Sequence, residues 1–329
     1  MQHDPPDLRS PEEIESLLNA KINPSALREL GLSYYNQEQF SFSSNDKKAL
    51  YYFTKAAELG DCEAQFHLAC MYYEKESLKD IEKAFYWWSK ATEQGMPEAQ
   101  SNLAYMYYRE ESLKDIEKAF YWYSKAAEQG MPEAQFNLGQ MYYHEESQKD
   151  IEKAFYWWSK AAEQGMPDAQ NNLACMYYEK ESLKDIEKAF YWWSKVAEQG
   201  MPEAQNNLAN MYYTEESQKD IEKAFYWYSK AAEQGMPEAQ NNLANMYHTE
   251  ESLKDIEKAF YWWSKAAELG NCEAQFSLGQ MYYQGDGVVK NLEKALSWFK
   301  KAAAQGVTEA EQYLRNELKD KETLQKSSD

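Results

Sequence analysis

The 329-residue sequence predicts an all-α fold, a right-handed α–α superhelix of eight helix pairs with a capping helix at each end. The first observation is a repeat: glycines recur every 35 residues from Gly60 to Gly270, and another follows at Gly306. A period of this length is typical of solenoids. The second is the helical spacing of apolar residues between the glycines. The third is composition, because 16% aromatic residues are far too many for a disordered chain.

The sequence divides into three parts. Residues 1–24 are predicted to form a loose tail and a capping helix, and residues 307–329 a closing helix with a frayed tail. Residues 25–306 form the repeat array. Its units lie near 25–60, 61–95, 96–130, 131–165, 166–200, 201–235, 236–270 and 271–306.

The ends and the first loop depart from the repeat. A run of serine, proline and two acids predicts a helix start at Ser10. The closing helix is predicted to begin at Thr308 and to end before a polar tail from Lys321. The loop of the first unit is longer than the others and carries Phe40 and Phe42, which we expect to pack over the first helix pair.

Units two to seven share one plan of two helices. In the second unit, helix A is predicted from Glu63 to Glu74 and helix B from about Asp80 to Glu93, with an earlier start possible if Ser77 and Asp80 form a capping box. The predicted buried faces comprise Ala64, Leu68, Met71 and Tyr72 of helix A and Ile81, Ala84, Trp87, Trp88 and Ala91 of helix B. The glycine after helix B is predicted to be the left-handed residue that ends it. Because one unit cannot bury its own aromatic side chains, the units must pack against one another.

The last unit carries the clearest motif. It reads Ala274-Gln275-Phe276-Ser277-Leu278-Gly279-Gln280-Met281-Tyr282-Tyr283, then Gly285-x-Gly287-Val288, then Glu293-Lys294-Ala295, Trp298 and Gln305-Gly306. The pattern resembles the SEL1-like repeat, a slightly longer relative of the tetratricopeptide repeat, and the resemblance covers residues 25–306. It implies a solenoid in which helices A line a concave inner wall that binds peptides and partner domains. Units two to seven lack the two loop glycines.

The four cysteines, Cys62, Cys70, Cys175 and Cys272, are predicted to be reduced. Cys62 and Cys70 are eight residues apart on one predicted helix, which is about 12 Å and too far for a disulfide. In some cysteine-rich SEL1-like relatives a disulfide joins the end of helix B to the next helix A. Here Ala57 stands at the first of those positions, so this disulfide framework is absent.

The charge and the absence of targeting patterns limit the possible partners. The net charge of −20 disfavours nucleic acid and anionic membrane surfaces. No apolar stretch is long enough to span a bilayer, and the N-terminus lacks the features of a secretory signal. We therefore expect a cytoplasmic, monomeric protein that would need a dedicated secretion system to reach a host cell.

No residue pattern predicts catalysis, a metal site or a cofactor. The histidines are scattered, no Cys-x-x-Cys occurs, and the carboxylates recur in every unit as on a solvated surface. A catalytic pair would be expected once, in one cleft. We therefore expect a protein that is not an enzyme.

Three positions of helix A, spaced by four residues, vary most between units and form what we term the variable stripe. It comprises Phe66, Cys70, Glu74, Ser101, Tyr105, Arg109, Phe136, Gln140, His144, Asn171, Cys175, Glu179, Asn206, Asn210, Thr214, Asn241, Asn245, Thr249, Phe276, Gln280 and Gln284. The stripe either lines a binding surface for a partner or reflects neutral drift after recent duplication. The segment at 57–66 that returns almost unchanged at 267–276 supports duplication.

We therefore expect a scaffold or adaptor that binds a partner protein on an acidic, partly aromatic concave face. Such a face predicts a basic partner segment with apolar anchors. The resemblance also implies two bacterial alternatives: an effector that acts on host proteins, or an immunity protein that neutralises a toxin.

Overall fold

A computed structural model describes residues 23–35 and 43–326, with the side chains of Ser44 and 318–326 left aside. The predicted N-terminal helix from Ser10, the positions of Phe40 and Phe42, and residues 327–329 lie outside the described residues. Within them the chain forms 17 α-helices and one 3₁₀ turn, and no strand. The predicted all-α fold class is therefore confirmed.

The helices fall into two compact units, which divide between Met166 and Pro167. From here on, a unit is one of these two parts, and each segment of about 35 residues is called a repeat. The first unit contains α1 (Pro24–Tyr34), α2 (Ser44–Glu58), α3 (Cys62–Glu74), α4 (Ile81–Glu93), α5 (Pro97–Arg109), α6 (Ile116–Glu128), α7 (Pro132–His144) and α8 (Ile151–Glu163). The second unit contains α9 (Pro167–Glu179), α10 (Ile186–Glu198), α11 (Pro202–Thr214), α12 (Ile221–Glu233), α13 (Pro237–Thr249), α14 (Ile256–Glu268), α15 (Cys272–Gln284), α16 (Leu292–Ala304) and α17 (Thr308–Lys326). Odd-numbered helices up to α15 are helices A, and even-numbered helices are helices B.

An aspartate or asparagine starts every helix B from α4 onwards. The side chain of Asp80 accepts a hydrogen bond from the backbone N–H of Lys83, and Asn291 does the same for Lys294 in the last pair. Asp80 is thus the cap, and helix B begins one residue later, at Ile81. The alternative capping box from Ser77 is wrong, because Ser77 lies in a 3₁₀ turn.

A glycine ends helix B, as predicted. Gly95 has a φ of 88°, and its N–H donates to the carbonyl of Thr92 while Met96 N–H donates to Ala91. A left-handed residue at this place closes the last helical turn by satisfying its carbonyl groups.

The core extends from one helix pair to the next inside each unit. In the first unit, one cluster joins Ala104 of α5, Tyr123 of α6, and Leu138 and Met141 of α7. The side chains of one pair are therefore buried by the following pair, as the repeat requires. Of the two aromatic residues predicted to be buried in α4, Trp88 is buried but Trp87 is only half-buried.

The structure also tests the predictions for the C-terminal helix and for the cysteines. Helix α17 continues to Lys326, so the predicted tail from Lys321 is wrong over most of its length. All four cysteines are free thiols, as predicted. Among the described helices, none is long and apolar enough to cross a membrane.

Candidate functional site

The variable stripe runs from the buried to the exposed side of helices A. Its first position is buried or half-buried in every repeat, from Phe66 to Phe276. Its third position is exposed in every repeat. These exposed residues are Glu74, Arg109 and His144 in the first unit, and Glu179, Thr214, Thr249 and Gln284 in the second.

Four members of the stripe are buried, contrary to the expectation of a binding surface. They are Cys70, Ser101, Asn206 and Asn241, each 2–6% exposed. Their side chains pack inside the helix pairs, where a docked partner does not reach them. Of the stripe, only the exposed and half-buried residues can contact another protein.

The inner part of the stripe faces the buried aromatic residue of helix B. The indole N–H of Trp158 donates to the carbonyl oxygen of Phe136 at 3.2 Å, and Gly139 leaves room for the ring. In the second unit, Trp193 donates instead to the side chain of Asn171 at 3.0 Å.

The same exchange occurs at the next position of the stripe. The side-chain oxygen of Asn245 accepts from Trp263, and that of Asn210 accepts from the hydroxyl of Tyr228. Sequence reasoning missed this coupling. The signal for it was the change from alanine to glycine at Gly139, beside the stripe.

In the first unit the exposed part of the stripe carries an aromatic ring and a cation. Tyr105 is 40% exposed and lies edge-on to Tyr73, with ring centroids 6.5 Å apart. Arg109 is exposed, and no carboxylate of the described residues lies within 4.0 Å of its guanidinium. His144 packs against Tyr143, with ring centroids 4.9 Å apart.

In the second unit the corresponding side chains bond to their own repeat. The hydroxyl of Thr214 donates to the carbonyl of Asn210, and that of Thr249 to the carbonyl of Asn245, both at 2.9 Å. Neither a ring nor a cation stands at these places.

A tyrosine–glutamate hydrogen bond joins neighbouring repeats beside the stripe. Tyr73 donates to Glu110 at 3.0 Å and Tyr108 to Glu145 at 2.8 Å. In the second unit Tyr178 donates to Glu215 in the same way at 2.9 Å. Burial, followed by the hydrogen bond to the glutamate, raises the pKa of Tyr73 and Tyr108. These glutamates therefore fix the position of one helix A against the next.

The stripe shows neither a reactive thiolate nor a group of metal-binding side chains among the described residues. Burial raises the pKa of the Cys70 thiol to about 12 and that of Cys175 to about 11, so neither is a thiolate at neutral pH. Burial also raises the pKa of Glu74. Within the described residues, no three His, Cys, Asp or Glu side chains are grouped so as to hold a metal ion.

The acids of the chain lie mostly outside the stripe. In one repeat, Glu98, Glu111 and Glu117 are exposed on other surfaces, whereas the stripe of the first unit carries one exposed acid, Glu74, and one exposed arginine, Arg109. Most of the negative charge therefore lies outside the stripe.

A second exposed surface lies on helices B, and sequence reasoning missed it. Tyr86, Tyr121 and Tyr156 in the first unit are each 52–54% exposed. A groove of about 680 Å³ runs beside Tyr121 and includes Phe120 and Tyr142. Its sequence signal was a tyrosine that stays unchanged between the phenylalanine and the tryptophan of helix B in repeats two to seven.

Two blocks of three repeats show that the stripe and the other exposed surfaces differ in how much their sequences vary. Residues 62–166, the first block, and 167–271, the second block, differ at 18 of 105 positions. Seven of the nine stripe positions differ. Among exposed residues of the first block, three of four differ on the stripe, but only three of 32 differ elsewhere. The changes at exposed positions therefore cluster on the stripe, whose positions are by definition those that vary most between repeats.

Comparisons with known proteins agree with the repeat geometry. The Sel1 repeat profile matches eight consecutive segments, residues 24–61, 62–96, 97–131, 132–166, 167–201, 202–236, 237–271 and 272–307. Among curated proteins, none matches the chain.

Solved structures of bacterial Sel1 repeat proteins are similar to the chain. A protective antigen of uropathogenic Escherichia coli shares 32% identity with a TM-score of 0.77, over 92% of this chain and 66% of that one. A Sel1 repeat protein from Oxalobacter formigenes shares 31% identity with a TM-score of 0.71, over 94% of this chain and 90% of that one. An immunity protein from Pseudomonas aeruginosa shares 21% identity over 65% of this chain and 82% of that one, with a TM-score of 0.42, which is too low to support an argument.

Sel1 repeat proteins generally mediate protein–protein interactions. This chain belongs to the Sel1 repeat family, as its helix pairs, the glycine that ends each helix B and the eight profile matches together show.

Proposed function

We propose that this protein is a non-catalytic scaffold or adaptor, and that a partner protein docks on the exposed part of the variable stripe. The docking residues are those of helices A that are exposed or half-buried, above all Tyr105, Arg109 and His144. Peptide-binding repeat proteins use such extended surfaces because each repeat adds one row of side chains.

One observation supports this surface over the others. Exposed residues of helices B, such as Tyr121 and Lys125, have the same counterparts, Tyr226 and Lys230, in the second block. On the stripe, by contrast, most exposed residues differ between the blocks. Selection for binding changes the residues that touch a partner and leaves equally exposed neighbours alone.

The charge and the stripe together favour a basic partner with apolar anchors. The net charge of −20 attracts a positively charged protein over a Debye length, about 8–10 Å at physiological salt. The exposed ring of Tyr105 then offers an apolar contact, of the residue type common at the centres of interfaces. We propose that the protein acts as a monomer in the cytoplasm.

The test is capture of the partner with matched variants. The protein is immobilised, captured partners are identified by mass spectrometry, and the main one is purified and titrated by calorimetry. Tyr105→Ala with Arg109→Ala is compared with Tyr121→Ala with Lys125→Ala, which removes a similar ring and cation from helix B.

The first pair of substitutions is expected to weaken binding by about 30-fold or more, and the second by less than about threefold. Equal affinities for all three proteins would mean that the partner binds elsewhere. Greater loss from the helix B variant would assign binding to the surface around Tyr121.

A further inference from the structure

The two blocks have nearly the same scaffold but different exposed stripes. Tyr105, Arg109 and His144 of the first block correspond to Asn210, Thr214 and Thr249 of the second. We propose that the first block alone anchors the partner, and that the anchoring segment carries an acidic side chain next to an apolar one. This inference rests on the proposed function and assigns the site and the chemistry within it.

The guanidinium of Arg109 supplies the site for the acidic side chain. It is exposed, and across the described part of the chain no carboxylate lies within ion-pair distance of it, although acids outnumber basic residues 55 to 35. By contrast, Arg28 is bound by Glu29, Asp61 and Glu63. A guanidinium binds carboxylates with two parallel hydrogen bonds, so an Arg109 left open suits an acidic side chain of a partner.

The apolar part of the site lies one helical turn away. Tyr105 precedes Arg109 by four residues on α5, so the two side chains are neighbours on one face. The ring of Tyr105 is held against Tyr73, which is itself fixed by its hydrogen bond to Glu110. On the following helix A, α7, His144 packs against Tyr143 and contributes a further exposed ring. A pre-positioned ring loses less side-chain freedom when it binds.

The second block lacks both parts of this site. The hydroxyls of Thr214 and Thr249 donate to carbonyls of their own helices. The side-chain oxygens of Asn210 and Asn245 accept from Tyr228 and Trp263. These polar groups are therefore engaged inside the repeat, and no stripe position of the second block carries a cation that could hold a carboxylate.

An acidic docking segment is compatible with a partner of net positive charge. The net charge attracts the partner while the two proteins approach, whereas Arg109 binds one particular side chain once they are in contact. The carboxylate sought by Arg109 is thus a local feature of the docking segment.

The experiment exchanges the stripe between the blocks. The first variant carries Tyr105→Asn, Arg109→Thr and His144→Thr, the residues that the second block has at these positions. The second variant adds Asn210→Tyr, Thr214→Arg and Thr249→His, which moves the site to the second block. Circular dichroism confirms the helix content of each protein. Because every new residue already occurs in this scaffold, both variants are expected to fold.

The probe is a phage-displayed library of random dodecapeptides panned against the full-length protein. The enriched peptides are synthesised with a fluorescent label, and their affinity for all three proteins is measured by anisotropy. We expect enrichment of Asp or Glu beside Leu, Ile, Phe or Trp. We also expect binding to fall by about 30-fold or more in the first variant and to return in the second.

Each other result would overturn the inference. Peptides that bind the first variant as tightly as they bind the wild type would show that the first block is not the anchor. The proposal that the protein binds a partner would then still stand, with the contact at another surface. Enriched peptides that lose binding but carry no acidic residue would refute the role of Arg109. Failure of the wild type to enrich any peptide would end the inference, and capture of a partner would still decide the proposed function separately.

Discussion

At the residue scale, Trp158 and Trp263 occupy the same position in α8 and α14, yet their N–H groups bind different acceptors. Trp158 bonds to a backbone carbonyl beside Gly139, and Trp263 bonds to the side chain of Asn245. A Cβ at Gly139 would lie 2.5 Å from the ring of Trp158. In these two repeats the glycine and the acceptor change together, because a Cβ at position 139 would occupy space that the ring of Trp158 fills.

This coupling predicts a compensated substitution. Gly139→Ala is expected to lower the free energy of unfolding by about 1–3 kcal/mol, because the ring of Trp158 must move. Adding Phe136→Asn and Gln140→Asn gives α7 the residues of the second block and is expected to restore most of the loss. Urea unfolding of the three proteins checks this. A triple variant less stable than Gly139→Ala would refute the coupling.

A half-buried histidine, His67, predicts a pH dependence of stability in the first unit. Desolvation lowers the pKa of His67 from its ordinary value of 6.5, with Arg28 also lowering it and Glu63 opposing. As the pH falls below 6.5, the unfolded chain therefore takes up a proton before the folded one. The free energy of unfolding should then fall, with a slope of at most about 1.4 kcal/mol per pH unit for this one group.

The control is His67→Asn, since Asn172 occupies this position in the second block. Urea unfolding is measured from about pH 7.5 to pH 5.5, above the range in which most carboxylates titrate. The variant is expected to lose the part of the slope that His67 contributes. Identical slopes in the two proteins would show that His67 titrates alike when folded and unfolded.

At the scale of single elements, the start of each helix B depends on one side chain. The oxygen of Asp115 accepts from the backbone N–H of Lys118 at 3.0 Å, which satisfies a donor that the helix leaves open. Asn291 makes the same hydrogen bond in the last pair.

Substitution of this cap separates its hydrogen bond from its charge. Asp115→Ala is expected to lower the Tm by about 1–3 °C, whereas Asp115→Asn is expected to change it by less than about 1 °C. Thermal unfolding followed by circular dichroism measures both. An asparagine variant as unstable as the alanine variant would mean that the cap acts through charge and not through the hydrogen bond.

The elements could be predicted from the sequence more fully than the site. Glycine and aspartate mark the ends of helix B by chemistry that is local, so its boundaries are visible in the chain. Exposure along the stripe is not local, because it depends on which side chains of helix B and of the neighbouring repeat cover each position. Spacing alone could place Ser101 and Arg109 on one face, but it could not show that the first is buried and the second exposed.

At the scale of the whole molecule, the net charge of −20 predicts salt-sensitive association with the proposed basic partner. Raising the salt from about 0.05 M to about 0.5 M is expected to slow association more than it speeds dissociation, because screening shortens the range of attraction. Surface plasmon resonance with the purified partner measures both rates. An association rate that does not change with salt would exclude steering by the charge of the chain.

The most direct test of the binding surface is hydroxyl-radical footprinting of the captured complex. Tyr105 and Tyr121 are both exposed in the free protein, one on the stripe and one on helix B. Docking on the stripe predicts that the partner protects Tyr105 strongly and leaves the reactivity of Tyr121 unchanged. Protection of Tyr121 with Tyr105 still fully reactive would contradict the claim that the partner binds the variable stripe.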